Sequence, residues 1–305
     1  MSQNTTSADS SLLGDVGGER FQCVKPLEIF TVMINVIAFV INSFHLCIIS
    51  RLEALKGTKY RCVLINVVLA DITNTIGMAI FYSCSEFILL NYMRGAPELR
   101  ISISMMMFIS NYISFHVFLV ASVEKYLAIC KPFSYNSSVL ISWLPLNFVI
   151  VWLYIFSLGT IVSLINVLNL IPGLSNLEMT VFRTAVFAVA PNLVSGTLLI
   201  KVYKELKRMR NRCEISAQDD DKTNAAMYLI IIFTLEMIVF LLNSGCVIFI
   251  HSTGNPVLCT IWNAFIKAPH TILNTVIYGW RTQSYRQHVR KLFGCNRHRI
   301  GVAEG

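Results

Sequence analysis

Charge is scarce in this chain. Asp, Glu, Lys and Arg make up 14% of its 305 residues, against 55% apolar residues. A monomer of that composition would be hard to keep in solution, which argues against an ordinary soluble domain. Outside its apolar stretches no segment is long enough to bury a core of its own, so no second, soluble domain is expected. The nine cysteines form no disulfide framework. Cys47, Cys62, Cys84, Cys130 and Cys246 lie in or beside apolar stretches, where a thiol packs as a small apolar group. Only Cys23 and Cys259 fall where an oxidising compartment could bridge them, and two free thiols are the alternative. The first 20 residues lack the apolar core of a cleavable signal peptide, so the first apolar stretch is expected to be its own insertion signal. No stretch carries His-x-x-x-His, paired catalytic aspartates or a Ser–His pair at workable spacing, so no enzyme is expected. Paired Gly/Pro-broken segments of an inverted repeat are also missing, which argues against a transporter or channel.

Long apolar runs are plentiful. Seven of them, at about 27–50, 62–90, 101–126, 139–168, 181–203, 225–250 and 257–280, are each long enough to cross a bilayer. About 20 helical residues suffice, at about 1.5 Å per residue across roughly 30 Å of hydrocarbon. In lipid the backbone must satisfy its own hydrogen bonds, and runs this continuously apolar cannot be the alternating strands of a barrel. The expected fold is therefore all-α: a seven-transmembrane helix bundle over 27–280, with an outer tail at 1–26 and a cytoplasmic segment at 281–305. Within that last segment Tyr285, Val289, Leu292 and Phe293 share one helical face and basic residues the other, the pattern of a short amphipathic helix lying on the membrane. Residues 2–18, rich in Ser, Thr and Gly, read as a disordered tail.

The net charge of +8 is a matter of topology rather than of nucleic-acid binding. Nineteen of the 25 Lys and Arg residues follow the first, third, fifth or seventh run. Cytoplasmic loops concentrate such residues, so the N-terminus is expected outside and the C-terminus inside a plasma membrane. Asn4-Thr5-Thr6 is then a glycosylation sequon on the outer face. Cys295, just past the amphipathic segment, suits palmitoylation, with an unmodified thiol as the alternative.

Polar groups inside apolar spans are costly and mark functional positions. The densest motif runs Ala121-Ser122-Val123-Glu124-Lys125-Tyr126-Leu127-Ala128-Ile129-Cys130-Lys131-Pro132-Phe133-Ser134-Tyr135. It resembles the Asp/Glu-Arg-Tyr segment of rhodopsin-like G-protein-coupled receptors and the Leu-Ala-Ile-Cys-x-Pro loop that follows it. Asn42, the segment Asn66-Val67-Val68-Leu69-Ala70-Asp71, Trp152, Pro191 and Asn274-Thr275-Val276-Ile277-Tyr278 resemble that family's marks on spans one, two, four, five and seven. Tyr285 matches the aromatic residue that opens the family's eighth helix, and the resemblance covers about residues 27–295.

The resemblance implies a receptor that passes an outer signal to a heterotrimeric G protein. It implies a switch network of Asp71, Ser114, Asn42 and Asn274, with His270 near Asp71, able to hold a sodium ion or exchange a proton. A water-filled hydrogen-bond network without ion coupling is the alternative. Glu124, Lys125, Tyr126 and Tyr278 would serve G-protein coupling. Lys125 stands where the family has arginine and lacks its planar five-donor fork, and Thr275 stands where it has proline. Arg100 replaces the cysteine atop the third span, residues 169–180 contain none, and the sixth span lacks Cys-Trp-x-Pro. In losing that outer bridge the chain is similar to melanocortin, cannabinoid and lysophospholipid receptors.

Met107 stands where amine receptors carry an aspartate, so a protonated amine is not the expected ligand. With Met105, Met106 and Phe108 it gives a soft apolar wall, suited to a lipid-like ligand or to plain packing. Asn111, Glu236 and Lys267 are further pocket candidates, Glu236 and Lys267 being a natural pair. Opsins hold retinal on a seventh-span lysine, but Lys267 is one residue out of that register, about 100° around the helix. A retinal-linked photoreceptor, a non-signalling decoy and a transporter remain the alternatives.

Overall fold

The computed structural model describes residues 9–55, 58–87, 97–135, 137–168, 181–211, 226–242, 245, 261, 265–266, 268–281 and 283–292. Among them there is no strand; nearly all are helical. The helices are α1 (Asp9–Arg51), α2 (Lys59–Phe87), α3 (Pro97–Cys130), α4 (Leu144–Leu168), α5 (Ala190–Asn211), α6 (Ala226–Leu242), α7 (Ala268–Arg281) and α8 (Gln283–Leu292). Single helical turns at Glu53–Leu55, Pro132–Tyr135 and Val139–Ser142 sit in the connections.

Five helical stretches are long and apolar enough to cross a membrane: Pro26–Arg51, Lys59–Ser83, Ile101–Cys130, Leu144–Ile165 and Val181–Met209. They coincide with the first five expected spans. Of the sixth and seventh, the described parts are the shorter α6 and α7; residues 246–260 lie outside the described residues. Hydroxyl side chains fit these apolar helices because they bond back to their own backbone. Thr73 donates to the carbonyl of Leu69, Ser122 to Phe118 and Thr234 to Ile230, at 2.7–2.9 Å. The helical turn leading into α5 widens to a π-helix at Ala185–Val189. Pro191 explains it: with no N–H and a ring that crowds the preceding turn, it cannot close the regular ladder.

One expectation is overturned at the N-terminus. Residues 9–18, read from composition as a disordered tail, continue α1 as helix. Once the rest of the helix has formed the nucleus, each added residue costs only its own ordering and gains a bond.

Helix α3 is the hub, packed on α2, α4 and α5, while α1 packs on α2, α7 and α8. The core runs through Ile109, Ile113, Val117 and Phe118 of α3, Val63, Leu64 and Val67 of α2, Phe148 and Ile155 of α4, and Leu229 and Ile232 of α6. Small residues set the closest approaches. Gly77 of α2 lies against Ser110 of α3, and Gly159 of α4 against Phe108 and Ile109. Outward faces are apolar: Leu153 of α4 and Leu193 of α5 are 62% and 65% exposed, as side chains meeting lipid would be.

Candidate functional site

The middle of the bundle buries a set of polar side chains that an apolar core would exclude. Asn42, Asp71, Asn74, Ser114, Glu236, His270 and Asn274 are all at most 9% exposed. Asn274 of α7 donates its amide N–H to Asp71 Oδ2 of α2 at 3.0 Å, joining two of the residues the sequence singled out. Thr275 donates to Asn42 Oδ1 at 2.8 Å, which ties α7 to α1. Ser114 is buried on α3, but among the described residues no hydrogen bond joins it to Asp71 or Asn274.

His270, expected near Asp71, has its Nδ1 4.0 Å from Oε1 of Glu236 of α6. Glu236 in turn lies within Coulombic reach of Asp71. The expected Glu236–Lys267 pair cannot be traced, because Lys267 lies outside the described residues. Glycosylation at Asn4, the Cys23–Cys259 bridge and modification of Cys295 rest on residues or side chains that are likewise outside them. Within the described residues Cys47, Cys62 and Cys130 are free thiols.

The donor set around Asp71 suits a hard cation such as sodium. Asp71 brings a carboxylate, and the buried Oδ1 atoms of Asn74 and Asn274 have no hydrogen-bond donor among the described residues. Asn74 lies one turn from Asp71 on the same face of α2, and oxygen ligands of this kind are what hard cations take. No group of three or more His, Cys, Asp or Glu placed to bind a metal occurs among the described residues.

At the basic end of α3 a second cluster forms around Glu124 and Lys125, 2% and 5% exposed. Lys125 Nζ is 2.8 Å from Glu124 Oε2 and stands 4.5 Å over the Tyr60 ring of α2. The Tyr135 hydroxyl donates to Glu124 Oε1 at 2.8 Å, and Lys59 Nζ stands 4.6 Å over the Tyr135 ring. Burial first, and then the Glu124 charge, push the Tyr135 phenol well above its ordinary range, so it stays a donor. Tyr126 faces α5, with Lys201 Nζ 5.8 Å over its ring. Trp152 of α4 donates to Asn66 Oδ1 of α2 at 3.1 Å, joining two more marks of the sequence.

Between the two clusters lies a ring cage that sequence reasoning missed. His45 of α1 bonds the Tyr285 hydroxyl of α8 through Nδ1 at 2.9 Å. Tyr278 stands edge-on to His45, Tyr228 and Tyr285, with centroids 5.1–5.3 Å apart. Burial pushes Tyr285 up to about 12. A histidine in the middle of an apolar span was the available signal for His45; nothing in the spacing pointed to Tyr228.

In the half of the bundle away from this basic end, Phe108, Tyr112 and Phe187 pack ring against ring at 4.8–5.9 Å. Met107 is half-buried, and its carbonyl accepts a 2.7 Å bond from Asn111. These candidates for ligand contact are thus held by their own helix and aromatic packing. Comparison with protein-family models finds none that matches the chain, and no curated protein matches it.

Proposed function

We propose that this chain is a rhodopsin-like G-protein-coupled receptor: seven spans and an amphipathic eighth helix, the basic side in the cytoplasm. The observation that carries the reading is the Asp71–Asn274 bond, which joins across 203 residues the two marks that the family resemblance assigns to one switch. Trp152 on Asn66 supports it, because that bond joins positions the resemblance had picked out separately on two helices, and Tyr135 on Glu124 ties together the two ends of the third-span motif.

A ligand on the outer half acts by binding one of two bundle arrangements more tightly than the other. Rearrangement at Asp71, Glu236 and His270 alters how α2, α6 and α7 sit together. The Tyr278 cage carries the change to the basic end, where Lys125, Tyr126 and the Lys/Arg-rich surface meet the G protein and anionic headgroups. A sodium ion, if bound, would be held by Asp71, Asn74 and Asn274 and would supply a charge that compensates the Asp71 carboxylate. The apolar, aromatic outer wall suits a lipid-like ligand better than a protonated amine.

The test is ligand-free G-protein activation in cells, wild type against Lys125→Arg at matched surface expression. A working switch gives activity in wild type or restores it in Lys125→Arg. Silence of both with every G-protein class, at normal surface density, favours the decoy reading.

A further inference from the structure

The contacts at the basic end close into a circuit: Tyr60 ring, Lys125, Glu124, Tyr135, Lys59, and back to Tyr60 along the chain. Two of its members are the adjacent residues that open α2; Glu124 and Lys125 sit on α3, and Tyr135 in the turn Pro132–Tyr135. We propose that Lys59 and Tyr60 are a clasp that holds Lys125 away from the solvent, and that Tyr60 is the positioning residue which keeps the coupling lysine inactive. The inference rests on the receptor reading for its consequence, but not for its geometry.

A buried ammonium facing one carboxylate is short of partners. An arginine at position 125 could grip a carboxylate with a planar fork and stack at the same time; an ammonium offers one compact charge that a single carboxylate leaves partly unsatisfied. The Tyr60 face supplies the second contact, within the distance at which a ring quadrupole attracts a cation. The result is a lysine 5% exposed at the end of its helix, where Lys204 and Lys207 of α5 are exposed. Glu124 pairs with Lys125 by charge at Oε2 and accepts from Tyr135 at Oε1, so release of Lys125 strands a buried carboxylate unless the turn carrying Tyr135 moves as well and admits water to it. Lys59, over the Tyr135 ring, joins that movement to α2. Release therefore requires α2 and α3 to part at this end, and a ligand that shifts those helices frees the lysine.

The test needs no ligand. Purified full-length protein in lipid nanodiscs is treated with a membrane-impermeant amine-acetylating reagent, and the rate at Lys125 is read by mass spectrometry relative to Lys207 in the same sample. Tyr60→Leu and Tyr60→Met, both read on the monodisperse folded fraction, should raise the Lys125 ratio about threefold to tenfold. Tyr60→Phe, which keeps the ring, should hold it at the wild-type value, a rescue that a merely space-filling role for the tyrosine hydroxyl would not give. An unchanged ratio in both Tyr60→Leu and Tyr60→Met, or an equal rise in Tyr60→Phe, overturns the clasp. Nucleotide exchange on G protein, run on the same preparations, separates the two readings. Faster labelling with no exchange in any variant keeps the clasp and counts against ligand-free coupling; exchange with unchanged labelling supports the receptor and overturns the clasp.

Discussion

Adding one methyl group at Gly77 should pry α2 from α3. A Cβ built there would overlap the Ser110 hydroxyl, come within 2.7 Å of Ser110 Cβ and within 3.3 Å of the Met106 carbonyl oxygen. Carbon atoms pack at about 3.5–4.0 Å, so roughly an ångström is missing. Ser110 cannot swing aside cheaply: it is 2% exposed and its hydroxyl is bonded to the Met106 carbonyl. Overpacking of this size costs about 1–3 kcal/mol. In melting experiments followed by tryptophan fluorescence, a domain loses about 2–4 °C per kcal/mol, so Gly77→Ala should melt several degrees early. The complementary change decides whether this contact is the cause. Ser110→Gly alone costs about 1 kcal/mol for glycine inside a helix. The pair Gly77→Ala with Ser110→Gly should lie at least about 1 kcal/mol above the sum of the singles, because the crowded carbon is gone. Wild-type melting of Gly77→Ala, or strict additivity in the pair, would refute the close approach of α2 and α3 at Gly77 and Ser110.

Further outcomes follow from the two polar clusters and the cage. Asp71→Asn should change ligand-free signalling or abolish its dependence on sodium; identical signalling across sodium concentrations in both proteins counts against an ion at Asp71. Trp152→Phe and Asn66→Ala each remove one end of the same 3.1 Å bond, so each should cost about 0.5–1.5 kcal/mol in melting and the double variant scarcely more than either. Burial raises the Tyr285 phenol from its ordinary value of 10.0 to about 12, so the neutral folded form contributes stability below pH 10 that fades as pH rises towards 12. Wild type should therefore lose more of its melting temperature than Tyr285→Phe between pH 10 and 12; parallel curves would mean the phenol is not buried against His45.

Composition and the length of the apolar runs carried the helices: runs such as Pro26–Arg51 and Leu144–Ile165 are long and apolar enough to cross a membrane, and in lipid such a run can satisfy its backbone only as helix. Motif spacing marked Asp71, Asn274, Asn66, Trp152, Glu124 and Tyr135; the Asp71–Asn274 bond joins two residues expected together, while the Trp152–Asn66 and Tyr135–Glu124 bonds were not foreseen. What stayed hidden depends on the rotation and axial level of one helix relative to another. His270 meets Glu236 across α7 and α6, and His45 meets Tyr285 across 240 residues; neither pairing has a spacing that sequence alone could show. The helix over residues 9–18 was hidden for a different reason, since Gly- and Ser-rich composition argues against a helix that starts alone and says little about one extended from a formed span.

Catalysed nucleotide exchange is what a receptor does and a non-signalling bundle does not. Purified wild type and Lys125→Arg, each reconstituted in anionic lipid with a panel of heterotrimeric G proteins, are assayed for the rate of guanine-nucleotide exchange against empty vesicles. A receptor predicts acceleration of exchange on at least one heterotrimer by one of the two proteins, and loss of that acceleration on replacing Glu124, Lys125 and Tyr126 together with alanine. Exchange at the empty-vesicle rate with every heterotrimer, from protein that melts cooperatively, would contradict it.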